Sequence, residues 1–244
     1  MLILIGAIAM AVLVIVANIS RSNRQVQGVE VSIRYGHASV LVAEQTVVDS
    51  IMAAIPTLYA MRVKDVDRSV VAEAASSVPY LKDVTASLSV SGKVVVRATQ
   101  RRPIARLFYG NKELYFDSDG SIMPVGTIGD CDVLVASGDF VEPLRADSLN
   151  SQMQSLLVLA RFLDGERKYR SLIDQIYIQR DGDVMMVPKL GDHVIELGVV
   201  EGLDSKFSNL VTFYEKGMPR AGWNTYTKIS LKFKDQVVCT KEKK

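Results

Sequence analysis

Gly92-Lys93-Val94-Val95-Val96-Arg97-Ala98-Thr99-Gln100-Arg101-Arg102-Pro103-Ile104-Ala105-Arg106 contains the change of pattern that divides this chain of 244 residues. Val94, Val96 and Ala98 fall on one side at period two, which predicts a strand with one buried face. Arg101-Arg102-Pro103-Ile104 then opens a different pattern, at a proline that has no backbone N–H to donate. Reading backwards, Ser91-Gly92 is a hairpin turn, and Val84, Ala86, Leu88 and Val90 alternate on a partner strand. Upstream, Val66, Val70, Val71, Ala74 and Ala75 form a helical stripe, with Asp65 as the expected N-cap and Pro79 as the stop. Glu44 to Ala54 carries Val47, Val48, Ile51 and Met52 at helical spacing before Pro56, and Val29, Val31 and Ile33 alternate with Glu30, Ser32 and Arg34. The order is strand, helix, helix, strand, strand, and two helices on one face of a small sheet make an α+β unit.

Reading forwards, the chain becomes strand-rich. Leu114 to Phe116, Ile122 to Pro124, Val133 to Ala136, Ile173 to Ile178, Val184 to Val187 and Val194 to Leu197 are expected strands. Leu149, Met153, Leu156, Leu157, Ala160 and Leu163 form one helical stripe. Phe207, Leu210, Val211 and Tyr214 form a second, with Asp204 as the expected cap and Gly217 and Pro219 as the stop. Ile229, Leu231 and Phe233 alternate with Ser230, Lys232 and Lys234, which predicts a last long strand from Thr227 to Phe233 before Asp235-Gln236 turns the chain into Val237-Val238-Cys239. The expected divisions are an apolar segment at 1–20, a linker at 21–28, the α+β unit at 29–100, a strand-rich unit with two helices at 101–240, and a frayed tail at 241–244.

Residues 1–17 are apolar or small without exception, and the first charged residue is Arg21. Seventeen helical residues span about 25 Å, the short end of what crosses a bilayer. The expected element is an uncleaved transmembrane helix. A cleaved signal peptide is the rival; it calls for a basic start, which is missing, and the small-x-small match Ala9-Met10-Ala11 lies inside the run. Arg21 and Arg24 follow the run and nothing basic precedes it, so basic-residue counting alone would put the C-terminal bulk in the cytoplasm.

The residue inventory argues against several classes of function. A net charge of +2 is far from the concentrated basic face of a nucleic-acid binder. Cys131 and Cys239 form no Cys-x-x-Cys pair, and read as two small buried hydrophobes with a disulfide as the alternative. His37 and His193 are the only histidines, in different expected units, and each reads as solvated or structural. Asp117-Ser118-Asp119-Gly120 begins like a calcium loop, but Ile122 and Ile128 stand where such a loop needs Gly and Glu, so it reads as a turn. Gly191-Asp192 and Asp181-Gly182-Asp183 are turn chemistry as well. Phe207, Phe213 and Tyr214 read as core at helical spacing. Arg97, Arg101, Arg102 and Arg106 either meet a phosphate or solvate a strand face. No phosphate loop, nucleophile elbow or zinc-binding helix is present, and no cofactor is expected.

Val78-Pro79-Tyr80-Leu81 with Val84, the stretch Gln100 to Arg106, and Leu114-Tyr115-Phe116-Asp117 with Gly120 and Met123-Pro124 together resemble the FtsQ/DivIB cell-division family. So do Gly191 to Gly198 with Lys206-Phe207, and Ile229 to Val238 with Leu231-Lys232-Phe233. Ser230 and Lys232 stand where the family pattern has Asp and Arg. Val187-Pro188-Lys189-Leu190-Gly191 resembles the Bacteroidetes-type wording. The resemblance implies a transmembrane helix, a POTRA-like strand-helix-helix-strand-strand domain and a β domain. It also implies a non-enzymatic divisome scaffold at the septum, anchored once in the inner membrane with its bulk in the periplasm, that links early and late division proteins by binding FtsB/DivIC-like and FtsL-like partners. The family binds its FtsB-like partner near the C-terminal strand. Tyr226, Thr227, Ile229, Ser230, Leu231, Lys232 and Phe233 are therefore the expected partner-binding edge. The alternatives are a POTRA-containing outer-membrane assembly or secretion accessory protein, for which tandem units and a barrel are missing, and a membrane-tethered hydrolase, for which no nucleophile and base are in sight.

Overall fold

The protein is described by a computed structural model covering Met10 and residues 23–36, 39–126, 131–140 and 150–241. The expected membrane segment at 1–20 (apart from Met10), His37 and the last three residues of the tail lie outside the described residues. Among the described residues, no helix is long and apolar enough to cross a membrane. The chain divides into two units, Met1–Arg101 with Gly126–Asp130, and Arg102–Val125 with Cys131–Lys244.

The first unit runs β1 (Gly28–Arg34), α1 (Glu44–Ala54), α2 (Arg68–Ser76), β2 (Leu81–Leu88) and β3 (Lys93–Gln100), with single 3₁₀ turns at Leu58–Ala60 and Val63–Asp65. Its sheet has the order β1-β3-β2, with β1 parallel and β2 antiparallel to β3. Period two sets the layers. Val31, Ile33, Val94, Val96 and Ala98 share one core with Val47 and Ile51 of α1 and Val71 and Ala75 of α2. Glu30, Ser32, Arg34 and Arg97 stay on the solvent face. The cap of α2 corrects the sequence reading. Asp67, not Asp65, accepts the Ser69 N–H (2.8 Å), because Asp65 is taken up in the preceding 3₁₀ turn.

Gln100, the last residue of β3, is 4 % exposed and uses both ends of its amide. Its Oε1 accepts the Leu41 N–H (2.7 Å) and its Nε2 donates to the Ser39 carbonyl (2.9 Å), which fixes the loop ahead of α1. Leu41 and Val42 beside it are buried, so their backbone needs such a partner.

The second unit holds β4 (Pro103–Tyr109), β5 (Lys112–Asp117), β6 (Ile122–Pro124), β7 (Leu134–Gly138), α3 (Ser151–Gly165), α4 (Arg167–Arg170), β8 (Ile173–Ile178), β9 (Val184–Pro188), β10 (Val194–Gly198), α5 (Leu203–Lys216), α6 (Met218–Ala221), β11 (Tyr226–Ser230) and β12 (Val238–Lys241). The two long helices carry the two expected stripes from Met153 to Leu163 and from Phe207 to Tyr214, Leu149 lying outside the described residues, and the structure adds the single-turn helices α4 and α6. One sheet has the order β12-β11-β10-β9-β8-β7-β4-β5-β6. Pro103 opens β4, one of the places a sheet tolerates proline. The register lines up Leu107, Ala136, Ile176, Met186, Ile195, Ile229 and Cys239 across seven strands. The first six are buried with Leu156, Leu159 and Leu163 of α3 and Phe207 and Leu210 of α5, and Cys239 packs against that core at its margin. Phe207 lies within 5.1–5.2 Å, ring centre to ring centre, of Tyr169 and Phe162. Burying a side chain of that size contributes about 1.5–3 kcal/mol.

One further cap reading is corrected, and the disulfide alternative is removed. α5 starts after Gly202, which sits in the left-handed region (φ 60°), and Asp204 lies in the first turn without capping it. Cys131 and Cys239 are both free thiols. One precedes β7 and the other lies in β12, five strand spacings or about 24 Å away, far beyond disulfide reach.

Gln100→Ala leaves the Leu41 N–H and the Ser39 carbonyl without their partner, and is expected to destabilise the first unit by about 1–3 kcal/mol. Urea denaturation of the full chain checks this, and amide exchange at Leu41 should accelerate with it.

Candidate functional site

The expected binding strand differs from the reading in extent and position. β11 ends at Ser230 and is not an edge. It runs parallel to β10 on one side and antiparallel to β12 on the other. The alternation through Leu231 and Phe233 does not continue the strand. The Leu231 N–H still bonds the Glu196 carbonyl of β10 (2.8 Å), but Lys232 reaches Asp183 (2.6 Å), and Phe233 is 55 % exposed in the loop to β12. Of the seven expected residues, Ile229, Ser230 and Leu231 are buried, and Tyr226 packs on Phe213 of α5. Thr227, Lys232 and Phe233 face solvent.

Backbone direction identifies the free groups. Leu231 turned toward β10 implies that Ile229 turns the same way and that Lys228 and Ser230 turn toward β12. Those two residues stand opposite Thr240 and Val238. The Thr227 hydroxyl also donates to the Thr240 carbonyl (3.3 Å), which places that carbonyl on the β11 side. Cys239, between them, therefore turns its N–H and C=O outward. At the far end of the sheet, β6 has three residues and finishes at Pro124, a short edge that a proline blunts. β12 has no proline, and Val238 is exposed. In the first unit, β2 is broken by a register shift at Lys82/Thr85 with Asp83 at φ 53°, and β1 carries Glu30 and Arg34.

A groove of about 380 Å³ lies beside the β11–β12 loop, lined among others by Val199, Glu201, Lys206, Asn209, Phe233 and Lys234. The Lys206 ammonium donates to the carbonyls of Leu197 (2.9 Å) and Val199 (2.7 Å), and burial pulls its pKa below the ordinary lysine value. Its bonds secure the end of β10.

The arginines do not converge. Arg97 is exposed on β3, Arg101 donates from Nε to the Leu81 carbonyl (3.0 Å), Arg102 forks onto Asp164, and Arg106 pairs with Glu113. Asp117 accepts the N–H groups of Asp119 and Ser121 (2.9 Å each), and Asp181 accepts that of Asp183 (3.0 Å), so both acidic stretches are turns. Among the described residues, no group of His, Cys, Asp and Glu is placed to hold a metal ion.

His193, just ahead of β10, is 1 % exposed. Its Nε2 lies 2.7 Å from the Tyr214 hydroxyl of α5, and its buried Nδ1 has no hydrogen-bond partner. Trp223 packs edge-on against Tyr214, with ring centres 5.2 Å apart. Desolvation lowers the His193 pKa from its ordinary value of 6.5, against the opposing pull of Asp192. Burial likewise pushes the Tyr214 hydroxyl up. Periodicity could not reveal this cluster, because it joins residues 21 and nine positions apart on different elements through ring contacts.

A chain that commits its polar residues to turns, caps and ion pairs, and leaves a strand edge open, has the features of a protein that works by association. A family model described as FtsQ/DivIB, C-terminal related, matches residues 102–240, more than half of the chain, and the chain belongs to that family. This is a family of non-enzymatic cell-division scaffolds that act with other divisome proteins at the septum. No curated protein matches the chain.

The His193 geometry has a defined pH signature. Folding lowers its pKa, so the unfolded chain takes up the proton first as pH falls. Its contribution to stability is complete above the unfolded value of 6.5 and is lost as pH falls toward the folded pKa, at no more than about 1.4 kcal/mol per pH unit. Urea midpoints measured between neutral and mildly acidic pH should show this slope, and His193→Gln should remove it.

Proposed function

We propose that the chain is a membrane-anchored divisome scaffold whose β12 edge takes up an extended segment of a partner by strand addition. The observation that carries this is the outward-facing backbone of Cys239 on an edge without proline, where the ladder to β11 is regular from Lys228–Thr240 to Ser230–Val238 and shifts register only beyond Lys228. Backbone bonds supply affinity in this mode of recognition, and the side chains flanking the edge supply specificity. Val238 and Thr240 present side chains on one face of the edge, and Tyr226 and Phe233 flank it. Family membership supports a divisome partner; in this reading an FtsB/DivIC-like protein pairs with β12, with an FtsL-like protein in the same assembly.

The remaining features of the reading are consistent with this. The first unit has the strand-helix-helix-strand-strand order of a POTRA domain, and the apolar run at 1–17 has the length and composition of a single-pass anchor. An anchored scaffold of the periplasmic face presents its second unit to the extracytoplasmic parts of its partners. This reading places the bulk of the chain outside the inner membrane, on the authority of the family and against the basic residues that follow the run.

Proline at Cys239 removes an outward donor and leaves the Lys228–Thr240 and Ser230–Val238 pairs in place. Cys239→Pro is expected to weaken capture of the FtsB/DivIC-like partner about ten-fold or more, the effect of roughly 1.4 kcal/mol, which is about one net backbone bond. Cys239→Ala, which keeps the N–H, should bind as the parent does. Titration of the partner against both variants, with thermal melts to confirm folding, is the measurement. Equal affinity of the two variants would remove β12 as the binding edge.

A further inference from the structure

The β2–β3 hairpin ends in a tip whose chemistry does not suit water. Val90 is 75 % exposed, the most exposed large apolar side chain among the described residues. The turn that presents it is tightly bonded. The Ser89 N–H donates to the Lys93 carbonyl (2.9 Å), the Gly92 N–H to the Ser89 carbonyl (3.0 Å), and the Lys93 N–H to the Ser89 hydroxyl (3.0 Å). Gly92 holds φ 87°, a conformation only glycine adopts readily. Ser-Gly turns of this kind ordinarily carry polar residues, and nothing within the first unit gains from a valine here.

The tip lies beside the stretch that continues from the apolar N-terminal run. The Gln27 N–H donates to the Gly92 carbonyl (3.0 Å), the Val26 N–H to the Met61 carbonyl (3.0 Å) and the Val63 N–H to the Arg24 carbonyl (2.9 Å), with a bridge between Gln25 and Arg62. Residues 24–27, expected as part of a linker, are therefore fixed to this end of the unit. From Ala17 to Arg24 there are seven residues, at most about 25 Å of extended chain. Arg24, Arg62, Lys64 and Lys93 are all exposed at this end, against the acids Asp65 and Glu30, of which Glu30 pairs with Lys93.

We propose that this end of the first unit, with Val90 at its tip and Arg24, Arg62 and Lys64 around it, docks on the bilayer surface and contacts anionic lipid headgroups. The inference rests on the anchor reading given above. An apolar tip ringed by basic side chains suits the headgroup boundary, where the apolar group enters and the cations stay with phosphate. Because residues 24–27 are hydrogen-bonded and not free, the anchor would keep the tip within reach of the membrane, and docking on anionic headgroups would fix the orientation in which the first unit stands on it.

The test uses the full chain reconstituted in vesicles of brominated phosphatidylcholine, with and without phosphatidylglycerol. Val90→Trp reports on the tip. Val40→Trp is the control, because Val40 adjoins the loop held by Gln100 at the other end of β3, about 23 Å away at ~3.3 Å per residue. Both variants retain Trp223 as a common background. The expected result is that brominated lipid containing phosphatidylglycerol cuts the added emission of Val90→Trp by roughly half while Val40→Trp is unaffected, as for a side chain at the headgroup boundary. Omitting phosphatidylglycerol, or adding Arg62→Glu with Lys64→Glu, should reverse most of that quenching. A chain that resists alkaline extraction from the vesicles but shows no quenching of Val90→Trp overturns the docking and leaves the anchor standing. Quenching that ignores phosphatidylglycerol and the charge reversals overturns the headgroup contact. A chain that washes off the vesicles overturns the anchor and the docking together.

Discussion

Strand β11 has both of its backbone sides committed, and the partner-binding account depends on that constraint. The Leu231 N–H reaches Glu196 on β10, while Lys228 and Ser230 face Thr240 and Val238 on β12. A buried peptide group left without a partner costs about as much as a lost hydrogen bond, so β11 cannot give up either neighbour to receive another chain. The open position moves one strand outward. Ile229 on β11 and Cys239 beside it continue the apolar row that runs back to Leu107, so an added strand would extend a sheet whose core side is already built.

The same economy of polar groups explains why the chain shows so little that looks like chemistry. Gln100, Asp117, Lys206 and the Arg102–Asp164 pair each satisfy a loop, a turn, a strand end or another side chain. His193 differs from these in that its buried Nδ1 has no hydrogen-bond partner. Its neutral form is tolerated where it sits, and its cost appears only when it is asked to carry a proton. That makes it a source of acid sensitivity at the root of β10.

Much of the fold was legible because alternation and helical stripes report one-sided burial directly. Val29, Val31 and Ile33, the Val94–Ala98 strand, and the stripes of α3 and α5 all follow from that signal. Two caps were misplaced for local reasons. Asp65 and Asp67 both precede the helix at Arg68, and only the hydrogen bond to Ser69 distinguishes them. Asp204 is a good capping residue, but Gly202 turns the chain two positions earlier. The sequence could not show sheet order, since β4 with β7 and β10 with β11 are pairings across long intervals, set by the packing of the whole core. Leu231 and Phe233 continued an alternation that the chain had already left, which is why the sheet edge was expected one strand too far in. The Gln100 clamp and the His193–Tyr214–Trp223 cluster are likewise contacts between distant residues, with no periodic signature.

Amide hydrogen exchange at Cys239, measured in the full chain alone and with the proposed FtsB/DivIC-like partner bound, tests the central claim most directly. Strand addition predicts that this amide, open in the free protein, becomes strongly protected in the complex, while the Thr240 and Val238 amides, already bonded to β11, change little. A partner that binds at saturation and leaves Cys239 exchanging at its free rate would contradict the account and place the interface elsewhere on the second unit.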